Sequence, residues 1–171
     1  MTTPTYETHD TLVAEAAIVD AGLDEANYLA APQLHDVRPI VCVARAPLGD
    51  VIGGAVGRTW GECAELQQLW VSAAHRKQGI GSALVHQYEA AAIARGCRTF
   101  YLTTLSFQAP ELYTAMGYKV ALEIRGYPDG IAKYQMIRTL DRAPRDAAPV
   151  ASIGLFYVYL GHDQFGAVEW R

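Results

Sequence analysis

The sequence predicts an α/β (α+β) fold in which helices flank a mixed sheet. Two observations predict it. Runs rich in Val and Ile alternate with stretches of helical period, and Gly or Pro stands at nearly every change of period. A third sets the scale: 171 residues suit one domain and are ample for a single hydrophobic core.

The elements follow in order. Leu12, Val13, Ala16 and Ala17 give Leu12–Ala21 a helical period, with Asp10 or Thr11 as its cap and Gly22 as its stop. A second short helix is expected from Asp24 to Ala31, ended by Pro32. Pro39–Ala46 and Asp50–Thr59 read as strands joined by a hairpin turn at Pro47–Gly49. A third strand spans Cys63–Ser72. After the basic loop Ala73–Gly81, helical period runs through Ile80, Leu84, Tyr88 and Ala91, and Gly96 stops it. Arg98–Thr104 is strand-like. A short helix follows, with Pro110 in its first turn and Gly117 after its end. Lys119–Arg125 and Ala132–Leu140 are two more strands, joined across a turn containing Pro128, Asp129 and Gly130.

These elements make residues 1–140 one domain. Asp141–Val150, with its Pro, Ala and alternating charge, reads as a linker. Residues 151–171 read as a hairpin-like extension, with β-prone Ile153–Leu160 and Phe165–Trp170. Such a hairpin is marginal alone, so it is expected to pair with the sheet or another subunit, or to cover an apolar patch.

Bulk properties exclude several classes. A formal net charge of -4 argues against general nucleic-acid binding, which needs clustered Lys and Arg. No apolar run approaches the roughly 20 residues of a membrane-spanning helix. The polar start, Met1 to Asp10, does not resemble a secretory signal. Three cysteines, Cys42, Cys63 and Cys97, form no close pair, which argues against a disulfide framework or a zinc site and for a cytoplasmic location.

The most informative stretch is Leu66-Gln67-Gln68-Leu69-Trp70-Val71 leading into Arg76-Lys77-Gln78-Gly79-Ile80-Gly81-Ser82. A strand enters a loop that opens a helix with two glycines at its start. Backbone N–H groups are unpaired there and the helix dipole adds positive charge, so the stretch suits a pyrophosphate. An ordinary solvated turn before a helix is the alternative. Ile80 after Gly79 rules out a Walker loop, and Leu84 stands where a dinucleotide fingerprint needs its third glycine. Gly53, Gly54 and Gly57 lie inside a strand pattern and mark a bulge or bend. A second stretch runs from Ser106-Phe107-Gln108-Ala109-Pro110-Glu111-Leu112-Tyr113 to Gly117-Tyr118 and places a phenol on a short helix directly after a strand.

Arg76-x-x-Gly79-x-Gly81 resembles the acyl-CoA pyrophosphate motif of the GNAT N-acetyltransferase superfamily. Leu112-Tyr113 with Gly117-Tyr118 resembles its later motif, and the element order over Pro39–Leu140 is similar too. The resemblance implies a mostly antiparallel sheet splayed at an acyl-CoA site, with acetyl-CoA as co-substrate and no metal. It implies that the backbone of Leu69, Trp70 and Val71 runs beside the pantetheine arm. Backbone amides of Arg76, Lys77, Gln78, Gly79, Ile80, Gly81 and Ser82 would hold the pyrophosphate. Ser106 stands where many relatives carry an Asn that holds the cofactor arm. Tyr113 would protonate the departing thiolate, its ordinary pKa of about 10 being close to that of a thiol.

A base makes the attacking amine neutral. Glu65 is the expected candidate, through a water, because simple alternation puts it on one face with Gln67 and Leu69. His75 and Glu111 are weaker ones, and Cys63 has no surroundings that would activate a thiolate. The resemblance implies that the acceptor is a primary amine on a small molecule or peptide. Glu15, Asp20, Asp24 and Glu25 make the first helical region acidic, which fits a cationic amine, and a homodimer is expected. Two rival classes remain: an acyl-CoA-binding sensor without turnover, and an interaction protein assembled through its aromatic tail.

Overall fold

Alternation in the first two strand runs puts Ile40, Cys42, Ala55 and Thr59 on one buried face, with Val41 and Val43 on the other, exposed one. In the computed structural model, which describes residues 4–141, these runs are β1 (Val37–Arg45) and β2 (Val51–Trp60). With β3 (Cys63–Val71) they form an antiparallel meander. Helix α2 (Ile80–Ala94) then crosses over to β4 (Thr99–Leu105), which lies parallel to β3. Helix α3 (Pro110–Ala115) leads into β5 (Lys119–Ile124) and β6 (Lys133–Thr139), and β6 inserts between β4 and β5. The sheet order is β1-β2-β3-β4-β6-β5, with β3 and β4 its one parallel pair. This is the predicted mixed, mostly antiparallel sheet. The linker at 142–150 and the extension at 151–171 lie outside the described residues.

The core lies between one face of this sheet and α2. Leu84, Val85, Tyr88 and Ala92 of α2 meet Ala55, Ala64, Leu66, Phe100, Leu102 and Met136. Burying one such apolar side chain contributes about 1.5–3 kcal/mol. Packing is closest at β2, where small residues let the helix approach. A methyl added to Gly57 would collide with Glu65 O and come within 2.8 Å of the Tyr88 hydroxyl. That hydroxyl donates to Glu65 O at 2.7 Å, with Arg58 O at 3.2 Å, and so ties α2 to the middle of β3. On the opposite face Val41, Val43, Val51 and Trp70 are exposed.

The first helical region differs from expectation. A single helix, α1 (Ala16–Ala30), replaces Leu12–Ala21 and Asp24–Ala31 and runs straight through Gly22. One glycine costs a helix only about 1 kcal/mol relative to alanine, and no neighbouring group lies within 4 Å of the Gly22 Cβ position to force a break. The residue before its first turn is Glu15, with no side-chain cap, rather than Asp10 or Thr11. None of its residues is buried; Tyr28 packs edge-on against His35 of the following turn at 4.9 Å.

Candidate active site

Two strands that start as neighbours and then part create the site. β3 and β4 pair in parallel from Cys63–Thr99 to Leu66–Leu102 and no further. Beyond that point β3 continues to Val71 on β2 alone, and β4 continues to Leu105 on β6 alone. A β-bulge drives the divergence. Leu66 faces Gly57 and Gln68 faces Val56, so Gln67 is an extra residue in β3. A bulge bends its strand and increases local twist. The far end of β4 is held to β6 independently. Ser106 N–H donates to Ala132 O at 2.8 Å, and Ala132 N–H donates to Ser106 Oγ at 3.1 Å. Gln108 Oε1 accepts from Leu105 N–H and from the Thr104 hydroxyl at 2.8 and 3.0 Å. A wedge therefore opens between Gln67–Val71 and Thr103–Leu105.

The bulge also changes which side chains share a face. Glu65 was expected beside Gln67 and Leu69, but the extra residue reverses the alternation after Leu66. Leu69 and Val71 pack on the core with α2, while Gln68 and Trp70 turn to the exposed face, Trp70 being 51% exposed. Glu65 is across the sheet from Leu69, on the face of Arg58 and Tyr101. Its Oε2 accepts from Arg58 Nε at 2.6 Å, and the Arg58 guanidinium stands 5.7 Å from the centre of the Trp60 ring. Tyr101 is pushed up to about 12 by its burial and then by the Glu65 charge.

At the wide end of the wedge the chain turns sharply into α2. Ser72 Oγ pairs with His75 Nδ1 at 2.7 Å, and Arg76 Nε donates back to Val71 O at 3.0 Å. Gln78 Nε2 donates to Ala74 O at 3.2 Å. Lys77 and Gly79 take positive φ, 61° and 79°. A non-glycine residue in that region is strained, and such strain gathers at functional sites. The first ladder bond of α2 runs from Ala83 N–H to Gly79 O, while the Arg76 N–H is taken by Ala73 O at 3.4 Å, so the N–H groups of Ile80, Gly81 and Ser82 have no carbonyl of a preceding turn to bond. With the helix dipole behind them they form an anion-binding surface. Gly81 is not demanded by packing: a methyl there would sit at ordinary distances, 3.7 Å from Leu112 and 3.9 Å from Val71. Its lack of a side chain leaves backbone accessible, as a cradle for phosphate requires.

Those same two neighbours show that the two sequence motifs meet, since Leu112 precedes Tyr113 on α3. Tyr113 is 7% exposed in the core cluster, and burial pushes its phenol up to about 12. Its ring meets that of Tyr118 edge-on, with centroids 6.0 Å apart. Leu69, Val71, Ile80, Gly81, Leu112 and Tyr113 are thus brought together, whereas Glu65 and Trp70 project from the other face of the sheet. Cys63 is raised by burial and then by Glu62, the opposite of an activated thiolate. Among the described residues, no group of three His, Cys, Asp or Glu could hold a metal ion, and no helix is long and apolar enough to cross a membrane.

One group escaped sequence reasoning. Glu89 of α2 is 5% exposed and binds both the Tyr118 hydroxyl and Arg138. Its signal was a carboxylate placed at a core-facing position of α2, one residue after Tyr88 and four after Val85.

This arrangement agrees with the comparisons. The Acetyltransferase (GNAT) family model matches residues 8–118. The Blasticidin-S acetyltransferase of Streptomyces morookaense is 37% identical over 93 residues, covering 54% of this chain and 68% of that protein. An acetyltransferase from Bacillus cereus superposes with a TM-score of 0.70 at 25% identity, covering 79% of this chain and 98% of that one. A structure from Agrobacterium tumefaciens described as an acetyltransferase superposes at 0.69 and 26%, covering 80% and 100%. A parted parallel strand pair, a glycine-bearing helix start and a tyrosine on the next short helix, matched across most of the domain, place the chain in the GNAT family of acetyltransferases.

Proposed function

We propose that this N-acetyltransferase moves an acetyl group from acetyl-CoA to a primary amine by direct attack in a ternary complex. The observation that carries this reading is the wedge between β3 and β4, with the α2 N-terminus at its mouth and Leu112, the neighbour of Tyr113, packed beside Gly81. Backbone N–H groups from Lys77 to Ser82 hold the pyrophosphate, the Arg76 N–H being taken by Ala73 O, and Leu69–Val71 runs beside the pantetheine arm. Ser106, whose Oγ already accepts from Ala132 N–H, keeps its own proton to offer that arm. The neutral amine nitrogen bonds to the thioester carbonyl carbon, and the carbon–sulfur bond breaks. The Tyr113 hydroxyl donates its proton to the departing thiolate, and the amine nitrogen releases its proton to solvent water, since the expected base Glu65 lies across the sheet, held by Arg58.

The relative that acetylates Blasticidin-S belongs with an amine acceptor, and the carboxylate content of α1, where Asp20, Asp24 and Glu25 lie, fits a cationic one. A cytoplasmic homodimer belongs to the same reading. Its three described cysteines are free thiols, and the exposed Val41, Val43 and Trp70 offer an apolar face for assembly.

Calorimetric titration with acetyl-CoA tests the reading. Saturable binding is expected, and Gly81→Val should abolish it while leaving the fold intact by circular dichroism. Screening cationic amines for thiol release then identifies the acceptor. A folded, CoA-free protein that binds no acetyl-CoA would overturn the assignment.

A further inference from the structure

The buried carboxylate of Glu89 has no part in the transfer derived above, yet three elements converge on it. From α2 its Oε1 accepts from the Tyr118 hydroxyl at 2.9 Å, and its Oε2 accepts from Arg138 Nη1 of β6 at 2.8 Å. His86 Nδ1, on an exposed side chain, stands 3.8 Å from the same Oε2. Tyr118 is 2% exposed. A buried carboxylate with both oxygens engaged by separate elements is a fixed point, since breaking either bond leaves buried polar groups unpaired.

The fixed point reaches Tyr113 through one intermediary, Tyr118. Helix α3 ends in a Schellman motif: Tyr118 N–H donates to Tyr113 O at 3.0 Å, and Gly117 N–H donates to Thr114 O at 3.0 Å. Gly117 supplies the left-handed residue, φ 89°, that this cap requires. The motif brings the residue after the glycine over the residue three positions before the helix cap. Here those residues are Tyr118 and Tyr113, and their rings meet at 6.0 Å and 69°. Arg138 lies alongside the same turn, its Nε 3.7 Å from the position a Gly117 Cβ would occupy.

We infer that Glu89, braced by Arg138, is a positioning residue that holds Tyr118 by its hydroxyl and, through the edge-on ring contact and the shared cap, sets the orientation of Tyr113. The inference rests on Tyr113 being the proton donor. Tyr118 is the lever: its ring fixes the Tyr113 ring, and its hydroxyl fixes its own. A phenylalanine there would keep the aromatic contact and lose the anchor.

A double-mutant cycle read in kcat and KM tests this. Tyr118→Phe should lower kcat about tenfold, short of the about 10²-fold that a misplaced reacting group costs, with KM for acetyl-CoA changed less than about twofold. In a Tyr113→Phe background the same change should have no further effect on kcat, because the group being positioned is gone. If Tyr118→Phe does not fold, Arg138→Lys carries the same cycle, since it keeps the charge on a partly exposed side chain but not the fixed fork. A silent Tyr118→Phe, or a loss that multiplies in full with that of Tyr113→Phe, would overturn the inference. Tyr113→Phe with undiminished kcat would instead overturn the donor role itself, and the positioning role with it.

Discussion

Tyr113 is held by its ring inside the core cluster, and that burial alone raises its phenol to about 12. The sequence implied a donor matched to a thiol, but the buried residue is a weaker acid than that. Its proton therefore stays in place through the whole neutral range. In the proposed reaction it is a fixed hydrogen-bond donor toward charge growing on sulfur, and a donor that needs no reorientation contributes strongly to such a step. Tyr113→Phe should lower kcat by about 10²-fold, at the low end of what a positioned acid contributes. KM for acetyl-CoA should stay within about twofold, as a steady-state thiol-release assay would read. An alkaline limb in kcat that centres near the ordinary pH of about 10 and disappears in Tyr113→Phe would contradict a buried donor. Its place on a short helix after a strand was legible, because its motif spacing is local and helical. Its acidity was not, because burial depends on strands far away in sequence.

At the scale of elements, the bulge in β3 decides most of what sequence alternation misjudged. Period-two reading places side chains correctly up to Leu66 and wrongly after Gln67, because one inserted residue reverses every face beyond it. Glu65 was thereby assigned to the face of Leu69, and Gly22 was likewise read as a helix stop by local propensity alone. The strands and hairpins themselves were legible, since Val- and Ile-rich runs and turn residues are local signals. So was the meaning of Gly57 as a bulge residue, which faces Leu66 at the irregularity. Gly57 permits both the bulge and the approach of Tyr88, and an added methyl would strike Glu65 O and the Tyr88 hydroxyl together. Gly57→Ala should therefore destabilise the fold by about 1–3 kcal/mol, measured as a fall in the urea midpoint. Gly54→Ala serves as the control. Its added methyl meets only Cys42 O at 3.2 Å, so it should cost less. Equal losses for the two would show that the wedge does not depend on the close contact at Gly57.

Across the whole molecule, burial shifts four phenols and three thiols in one direction. Tyr88, Tyr101, Tyr113 and Tyr118 are all raised, with burial the largest cause in each. Cys42, Cys63 and Cys97 are raised for the same first reason. Below the unfolded values, about 8.5 for Cys and 10 for Tyr, folded and unfolded chains hold these protons alike and the contribution to stability is complete. As pH climbs past those values the unfolded chain releases protons that the folded chain retains. The unfolded state then binds fewer protons, so stability falls with pH until the folded values are passed. Urea midpoints should hold steady on account of these groups between about pH 7 and 8.5 and fall steeply from there toward about 11. Tyr113→Phe removes one contributor and should make the fall above pH 10 measurably shallower. A midpoint unchanged up to pH 11 would mean that water reaches these phenols and thiols, and the core that walls the wedge would then be looser than its packing implies.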